Sequence, residues 1–276
     1  MISATTTVAG VIGSPVRHSL SPALHNAAFL ASGADWVYAA FEVGPGGAGA
    51  ALDAMRTLGI GGLSVTMPHK EDVADAVDEL DPAAAALRSV NTVVSLPGGR
   101  LRGHSTDGAG FVASLAAAGV EVFGLRVTVL GAGGAARAVV DALARAGAAD
   151  IAVVNRSLER AIACAALAGA VGRVGGDADV GGAELLVNAT SIGMGTVELP
   201  VDPAVLHSAQ VVADLVYHPL RTALLVAAEA AGARTVDGLG MLVHQAALQQ
   251  QLWLGTLPDV GVMHAAALRE LDARPR

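Results

Sequence analysis

The segment Arg126–Gly147, "RVTVLGAGGAARAVVDALARAG", constrains the fold of this chain more than any other. A β-branched apolar run leads into Gly131-Ala132-Gly133-Gly134, and an Ala/Val/Leu pattern with helical spacing follows at once. A strand that turns on glycines straight into a helix is the first half of a βαβ unit, which commits it to a parallel sheet. The glycines fit G-x-G-x-x-G/A, with Ala136 in the third place. Such a turn lets the backbone approach a pyrophosphate, which is then held by N–H groups at the positive end of the helix. Gly131, Ala132, Gly133, Gly134 and Ala135 are therefore candidate dinucleotide contacts.

The next strand, 151–154, refines that reading. It ends at Asn155, where NAD enzymes place an Asp or Glu for the ribose 2′-hydroxyl. Arg156 and Ser157 follow, and Arg160 lies one helical turn further on. Removing the carboxylate removes repulsion, and guanidinium forks match a 2′-phosphate. NADP is the expected cofactor.

The same alternation of short β-branched runs and longer Ala/Leu patterns extends along the whole chain, the signature of α/β layers. Strands are expected at 6–13, 36–43, 61–67 and 90–96, with a short partner strand after Gly98-Gly99. Further strands are expected at 126–130, 151–154, 185–188 and 211–214. Ser21 and Pro22 read as the N-cap and first residue of a helix running to about Ser32. Pro68 ends the third strand, and Asp81-Pro82 opens a helix. The expected architecture is an N-terminal α/β domain over 1–107, to which C-terminal helices from 238 to 276 return. A Rossmann-type doubly wound parallel-sheet NADP domain over 108–237 is inserted in it, with a cleft between the two. Glycine clusters near 105–110 and 237–240 are the expected hinges.

Composition narrows the partners. A net charge of −8 without a Lys/Arg cluster argues against nucleic acid. No run of about 18 apolar residues lacks charge, so no membrane span is expected. The start "MISATTTVAGVIG" has no basic n-region and reads as a strand rather than a signal peptide. Cys164, the lone cysteine, sits in an Ala-rich helical pattern and reads as a buried small hydrophobe. An absence of disulfides suits a cytoplasmic location. No metal cluster is expected, and the chain is read as a monomer or homodimer.

Small polar residues collect at the predicted strand ends: Ser19 and Ser21, Thr66, Lys70, Asn91, Asp107, and later Tyr217 and Gln245. Converging in one cleft they would suit a polyhydroxylated, carboxylate-bearing substrate. Singly, each has an ordinary reading, with the serines as caps, Asn91 as a turn residue and Gln245 as a satisfied helix residue. Lys70 is the only lysine beside sixteen arginines. Arginine keeps its proton in any protein, whereas lysine can give one up and regain it.

In order and spacing, "GSPVRHSLSPALHN", "VTMPHK", "VNT", "TDG", "GAGGAAR", "NR", "NATSIGM", "DLVYHP" and "DGLGMLVHQA" resemble the shikimate dehydrogenase family. The resemblance implies NADP-linked interconversion of shikimate and 3-dehydroshikimate, a step toward chorismate and the aromatic amino acids. It implies Lys70 and Asp107 as the catalytic pair, assisting proton transfer. It implies that residues 1–107 and the last helices, 238–276, form the substrate domain, with Ser19, Ser21, Thr66, Lys70, Asn91, Asp107, Tyr217 and Gln245 as substrate contacts. The cofactor would meet Gly131 to Ala135, Asn155, Arg156, Ser157, Arg160, Thr190 and Ser191, with Leu215, Gly238 and Met241 near its nicotinamide.

Ser105 stands where relatives often carry Asn, and Met67 and His69 replace commoner apolar or aromatic residues. His69 is read as structural, because neighbours on an extended segment point apart. The alternatives are a quinate/shikimate or aminoshikimate dehydrogenase, possibly NAD-linked, and a non-catalytic dinucleotide-binding regulator. Ser21, where quinate-active relatives often carry Thr, and Asn155-Arg156 count against the former. Keeping both Lys70 and Asp107 counts against the latter.

Overall fold

Every β-branched run named above forms a strand, and with three further short strands they make two six-stranded sheets among the described residues. The computed structural model describes residues 2–274. The chain divides into a first unit, up to Thr106 and again from Val243, and a second unit, Asp107–Leu242.

The first unit holds β1 (Thr7–Gly13), α1 (Ser21–Ser32), β2 (Trp36–Glu42), α2 (Ala48–Leu58), β3 (Gly62–Val65) and α3 (Lys70–Ala76). It continues with β4 (Glu79–Leu80), α4 (Pro82–Leu87), β5 (Thr92–Ser95) and β6 (Leu101–His104). Its sheet runs β2-β1-β3-β5-β6-β4. β1 pairs parallel with β2 and β3, and β4 parallel with β6, while β5 is antiparallel to both its neighbours. Gly98 and Gly99 reverse the chain between β5 and β6 with φ of 78° and 76°, a backbone that L side chains rarely adopt. The one reversed strand matters for function. It brings the start of β5 to the same end of the sheet as the ends of β1, β3 and β6.

The second unit holds α5 (Asp107–Ala117), β7 (Arg126–Leu130), α6 (Gly134–Arg145), β8 (Asp150–Val154), α7 (Leu158–Ala165), β9 (Gly172–Val174) and α8 (Asp177–Gly182). Then come β10 (Leu185–Asn188), β11 (Val211–Asp214), α9 (Ala223–Ala230) and β12 (Arg234–Val236). All six strands pair in parallel, in the order β12-β11-β10-β7-β8-β9. The strand order reverses between β7 and β10, the switch point where doubly wound sheets bind dinucleotides. Apolar side chains of β7, β8 and β10, among them Val127, Ile151 and Val187, form the core with Val139 and Leu143 of α6. Cys164 is fully buried in this cluster, and burial pushes its thiol up to about 11, so it packs as a hydrophobe.

Two helices close the chain, α10 (Gly238–Leu254) and α11 (Val260–Asp272). The boundary between units falls inside α10, after Leu242. Within the first unit α11 packs on α1, and Trp253 of α10 donates its indole N–H to the Val93 carbonyl at 3.1 Å. Gly62 lies directly under that indole, and any side chain there would overlap it.

Some local expectations need correcting. Ser21 is not the cap of α1. The cap position is Leu20, with no side-chain bond, so Ser21 and Pro22 are the first two helical residues. β3 stops at Val65 rather than continuing to Met67. β4, β9 and β12 have two or three residues each and carry too little apolar pattern to stand out. His69 and Lys70 are not on an extended segment, since His69 caps α3 and Lys70 begins it.

Candidate active site

In the first unit, the loop after β1 is pinned by Glu42, which accepts from the Ser14 hydroxyl at 3.0 Å and the Val16 N–H at 3.3 Å. Ser19 follows on that loop and Ser21 begins α1, with the Ser21 N–H donating to Ser19 Oγ at 3.2 Å. Thr66 leaves β3 with its methyl lying over Gly13, where a Cβ would overlap it. Lys70 sits one turn later, at the positive end of α3. Helix stability does not explain a cation there. His69 is fully buried, its Nε2 2.7 Å from the Val43 carbonyl, and it serves as an anchor for the turn.

Asn91 lies just before β5 and is buried. Its Oδ1 accepts from the Thr106 N–H at 2.9 Å and the Thr92 hydroxyl at 2.8 Å. Its Nδ2 donates to Thr106 Oγ1 at 2.9 Å and stands 3.5 Å from Gln245 Oε1. The structure therefore brings Asn91 and Gln245 together, although 154 residues separate them. The Thr106 hydroxyl donates to the Gln245 carbonyl at 3.2 Å and closes the group. Gln249, one helical turn after Gln245, donates to Gln245 Oε1 at 2.9 Å and accepts from Ser64 Oγ at 2.6 Å.

In the second unit, the glycine turn follows β7 as the motif requires. Gly131 has φ +104°, and a methyl group on it would come within 3.1 Å of the Ala189 carbonyl. Gly133 and Gly134 differ, because a methyl group on either would meet no protein atom within 4 Å. α6 also begins without any side-chain cap. A chain that left this turn empty would gain a few tenths of a kcal/mol or more from a capping residue at Gly133. Open space and uncapped N–H groups together fit an incoming phosphate.

Across the switch point, Thr190 and Ser191 follow β10. Asn188 is fully buried, and its Oδ1 accepts from the Thr190 N–H at 3.1 Å and hydroxyl at 2.7 Å. Its Nδ2 donates to Asp214 Oδ1 at 2.9 Å. Asp214 also accepts from the Val216 N–H at 3.0 Å and the Thr222 hydroxyl at 2.7 Å. Burial raises the Asp214 carboxyl in spite of these donors. This knot fixes the loops carrying Thr190, Leu215 and Tyr217. Gly238 packs so closely on the Leu215 carbonyl that a Cβ would overlap it, and Met241 begins the following turn of α10. Near the ends of β7 and β8, Leu130, Val154, Leu199 and Val201 line a groove of about 590 Å³ together with Asp177 and Asp202.

After β8, Asn155 Nδ2 donates to the Ser157 carbonyl at 3.0 Å, and Ser157 Oγ caps α7 by accepting the Arg160 N–H at 3.4 Å. Arg156 and Arg160 are exposed beside that helix start. Asp107 is the first residue of α5, where a carboxylate is favoured by the helix dipole. Among the described residues no group of three His, Cys, Asp or Glu side chains could hold a metal ion.

Sequence reasoning passed over Tyr38, Ser64, Thr106, Asn188, Asp214, Thr222 and Gln249. Thr106 and Asp214 stand inside motifs quoted above, and a polar residue closing an apolar strand was the available signal. Tyr38 and Ser64 lie within strands and gave none.

Three family profiles match the chain. Residues 11–93 match the shikimate dehydrogenase substrate binding domain, 114–174 shikimate/quinate 5-dehydrogenase, and 238–268 the shikimate 5′-dehydrogenase C-terminal domain. The shikimate dehydrogenase (NADP+) of Thermococcus kodakarensis is 47% identical over 99% of this chain and 100% of its own. The chain belongs to the shikimate dehydrogenase family. A solved shikimate dehydrogenase in complex with NADP+ superposes with a TM-score of 0.93 at 38% identity, covering 98% of both chains. The Thermus thermophilus enzyme of the family, solved with NADP(H) and shikimate, gives 0.91 at 38%, covering 96% of this chain and all of its own. The same fold also carries a Corynebacterium glutamicum quinate dehydrogenase solved with NAD, at 33% identity and a TM-score of 0.89 over 96% and 99% of the two chains. Family and fold therefore leave substrate and cofactor preference to individual side chains.

Proposed function

We propose that this chain interconverts shikimate and 3-dehydroshikimate with NADP as the hydride partner. The observation that carries this reading is end-to-end similarity, at 47% identity, to an enzyme named for that substrate and cofactor. The open turn at Gly133-Gly134 supports the cofactor half, and the buried Asn91–Gln245 pairing supports the substrate half. Bound NADP supplies the hydride acceptor for oxidation and the donor for reduction. The chain supplies everything else.

The first unit and the C-terminal helices bind the substrate, and the second unit binds the cofactor. Ser19, Ser21, Thr66, Asn91, Tyr217 and Gln245 offer hydroxyls and amides to a ring bearing several hydroxyls and a carboxylate. Arg156 and Arg160 take the 2′-phosphate, and Thr190, Ser191, Leu215, Gly238 and Met241 border the nicotinamide half. Oxidation removes a hydride from the carbinol carbon and a proton from its oxygen. Lys70 Nζ takes that proton and returns it in the reverse direction, with Asp107 orienting the amine. We assign the protein to the cytoplasm as a monomer or homodimer.

Lys70→Ala tests the chemical role. A positioned acid–base group is worth about 10² to 10⁴ in rate, so kcat falls by that factor while the KM for shikimate moves little. A loss confined to KM, with kcat retained, refutes it. NADP binding without turnover in the wild type would instead favour the regulator.

A further inference from the structure

We propose that Tyr38 is a positioning residue that acts through Ser64 and Gln249 to fix which end of the Gln245 amide faces the substrate. This rests on the reading of Gln245 as a substrate contact.

The inference follows from where protons can sit. Gln249 Nε2 lies 3.3 Å from the Asn91 carbonyl, a group that can only accept, so the amide nitrogen must be on that side. Gln249 Oε1 then faces Ser64 Oγ at 2.6 Å and can only accept, so the serine hydroxyl donates to it. With its one proton so committed, Ser64 Oγ must accept from the Tyr38 hydroxyl, 2.6 Å away. The other end of the relay is equally determined. Gln249 Nε2 donates to Gln245 Oε1 at 2.9 Å, which holds the Gln245 oxygen toward Gln249 and turns its nitrogen away.

Tyr38, Ser64, Gln245 and Gln249 are all buried, so water does not compete for these bonds. Burial pushes the phenol far above its ordinary range, so it remains a donor. Its ring stacks on His25 at 4.2 Å and 14°, and burial lowers the His25 imidazole to about 3, keeping that partner neutral.

The test is a double-mutant cycle on shikimate affinity, read by fluorescence of the two tryptophans, Trp36 and Trp253, and by steady-state kinetics with NADP. Tyr38→Phe keeps the ring and its stack but removes the donor. It is expected to weaken shikimate binding about fivefold to tenfold, with kcat and the KM for NADP unchanged within about twofold. In a Gln245→Ala background the same change has an effect below about twofold, because the relay has lost its endpoint. Ser64→Ala reproduces the loss and leaves the tyrosine and its stack intact, which covers the case in which Tyr38→Phe lowers the melting temperature. Equal effects of Tyr38→Phe with and without Gln245 overturn the proposal, as does unchanged affinity in both variants. If the wild type turns over shikimate and the cycle shows no coupling, the relay alone fails. If the wild type neither binds nor turns over shikimate, the functional reading fails with it.

Discussion

At the scale of single residues, chemistry separates groups that composition treats as alike. Sixteen of seventeen strong cations are arginine, and the exception begins α3, where a cation gains nothing from the helix dipole. A site that needed only positive charge would be served by arginine, so the role proposed for Lys70 rests on the amine itself. The arginines after β8 have a different task. Arg156 and Arg160 are exposed at the start of α7, whose dipole also disfavours cations. Charge-assisted bonds to a 2′-phosphate would compensate, at about 1.5–3 kcal/mol each. Arg156→Ala and Arg160→Ala should therefore each raise the KM for NADP about tenfold or more, with the KM for NAD nearly unchanged. Steady-state titration of both cofactors reads this directly, and a parallel rise for NAD would point to a structural role instead.

At the scale of elements, the glycine turn divides into positions with separate causes. Gly131 answers to the backbone, with φ +104° and the Ala189 carbonyl close by, while Gly133 answers to empty space. Gly131→Ala should cost about 1–3 kcal/mol of stability, seen in thermal melts. Gly133→Ala should leave the melting temperature nearly unchanged and weaken NADP binding. Asp78 shows how short elements are held. It accepts the Leu101 N–H of β6 at 2.7 Å and Arg56 of α2 at 3.1 Å, and these bonds, the N–H first, hold its carboxyl below the ordinary range. A depressed carboxyl stabilises the fold above its unfolded pKa, near 3.9, and that contribution disappears as pH falls through the folded value. Asp78→Asn should thus lower the melting temperature at neutral pH, with the gap to wild type closing as pH falls below the ordinary carboxylate range. The strands and helices with strong periodicity were legible from residues alone. β4, β9 and β12 were not, because two or three residues carry no period and pairing with a neighbour creates them. Ser21 misled as well. Serine before proline resembles a cap, but here Leu20 already has helical φ and ψ, so Ser21 falls inside the first turn.

At the scale of the whole molecule, the single reversed strand of the first sheet and the order reversal of the second decide which residues can act. Antiparallel β5 puts Asn91 at the sheet end that also carries Thr66 and Thr106, where α10 brings Gln245. The β7–β10 switch point puts the glycine turn beside Thr190. Motif order supplied the proposed contact residues from the sequence. The hydrogen-bonded groups behind them, Asn188–Asp214–Thr222 and Tyr38–Ser64–Gln249, depend on long-range packing that no local pattern announces. The fold is shared with a quinate dehydrogenase solved with NAD, and the proposed determinants of substrate and cofactor choice are Ser21, Asn155, Arg156 and Arg160. The measurement that decides it compares kcat/KM for shikimate and for quinate, each with NADP and with NAD. Shikimate with NADP is expected to exceed the other three combinations by about tenfold or more, given one charge-assisted contact of difference. A preference for quinate, or equal rates with NAD, would contradict the account.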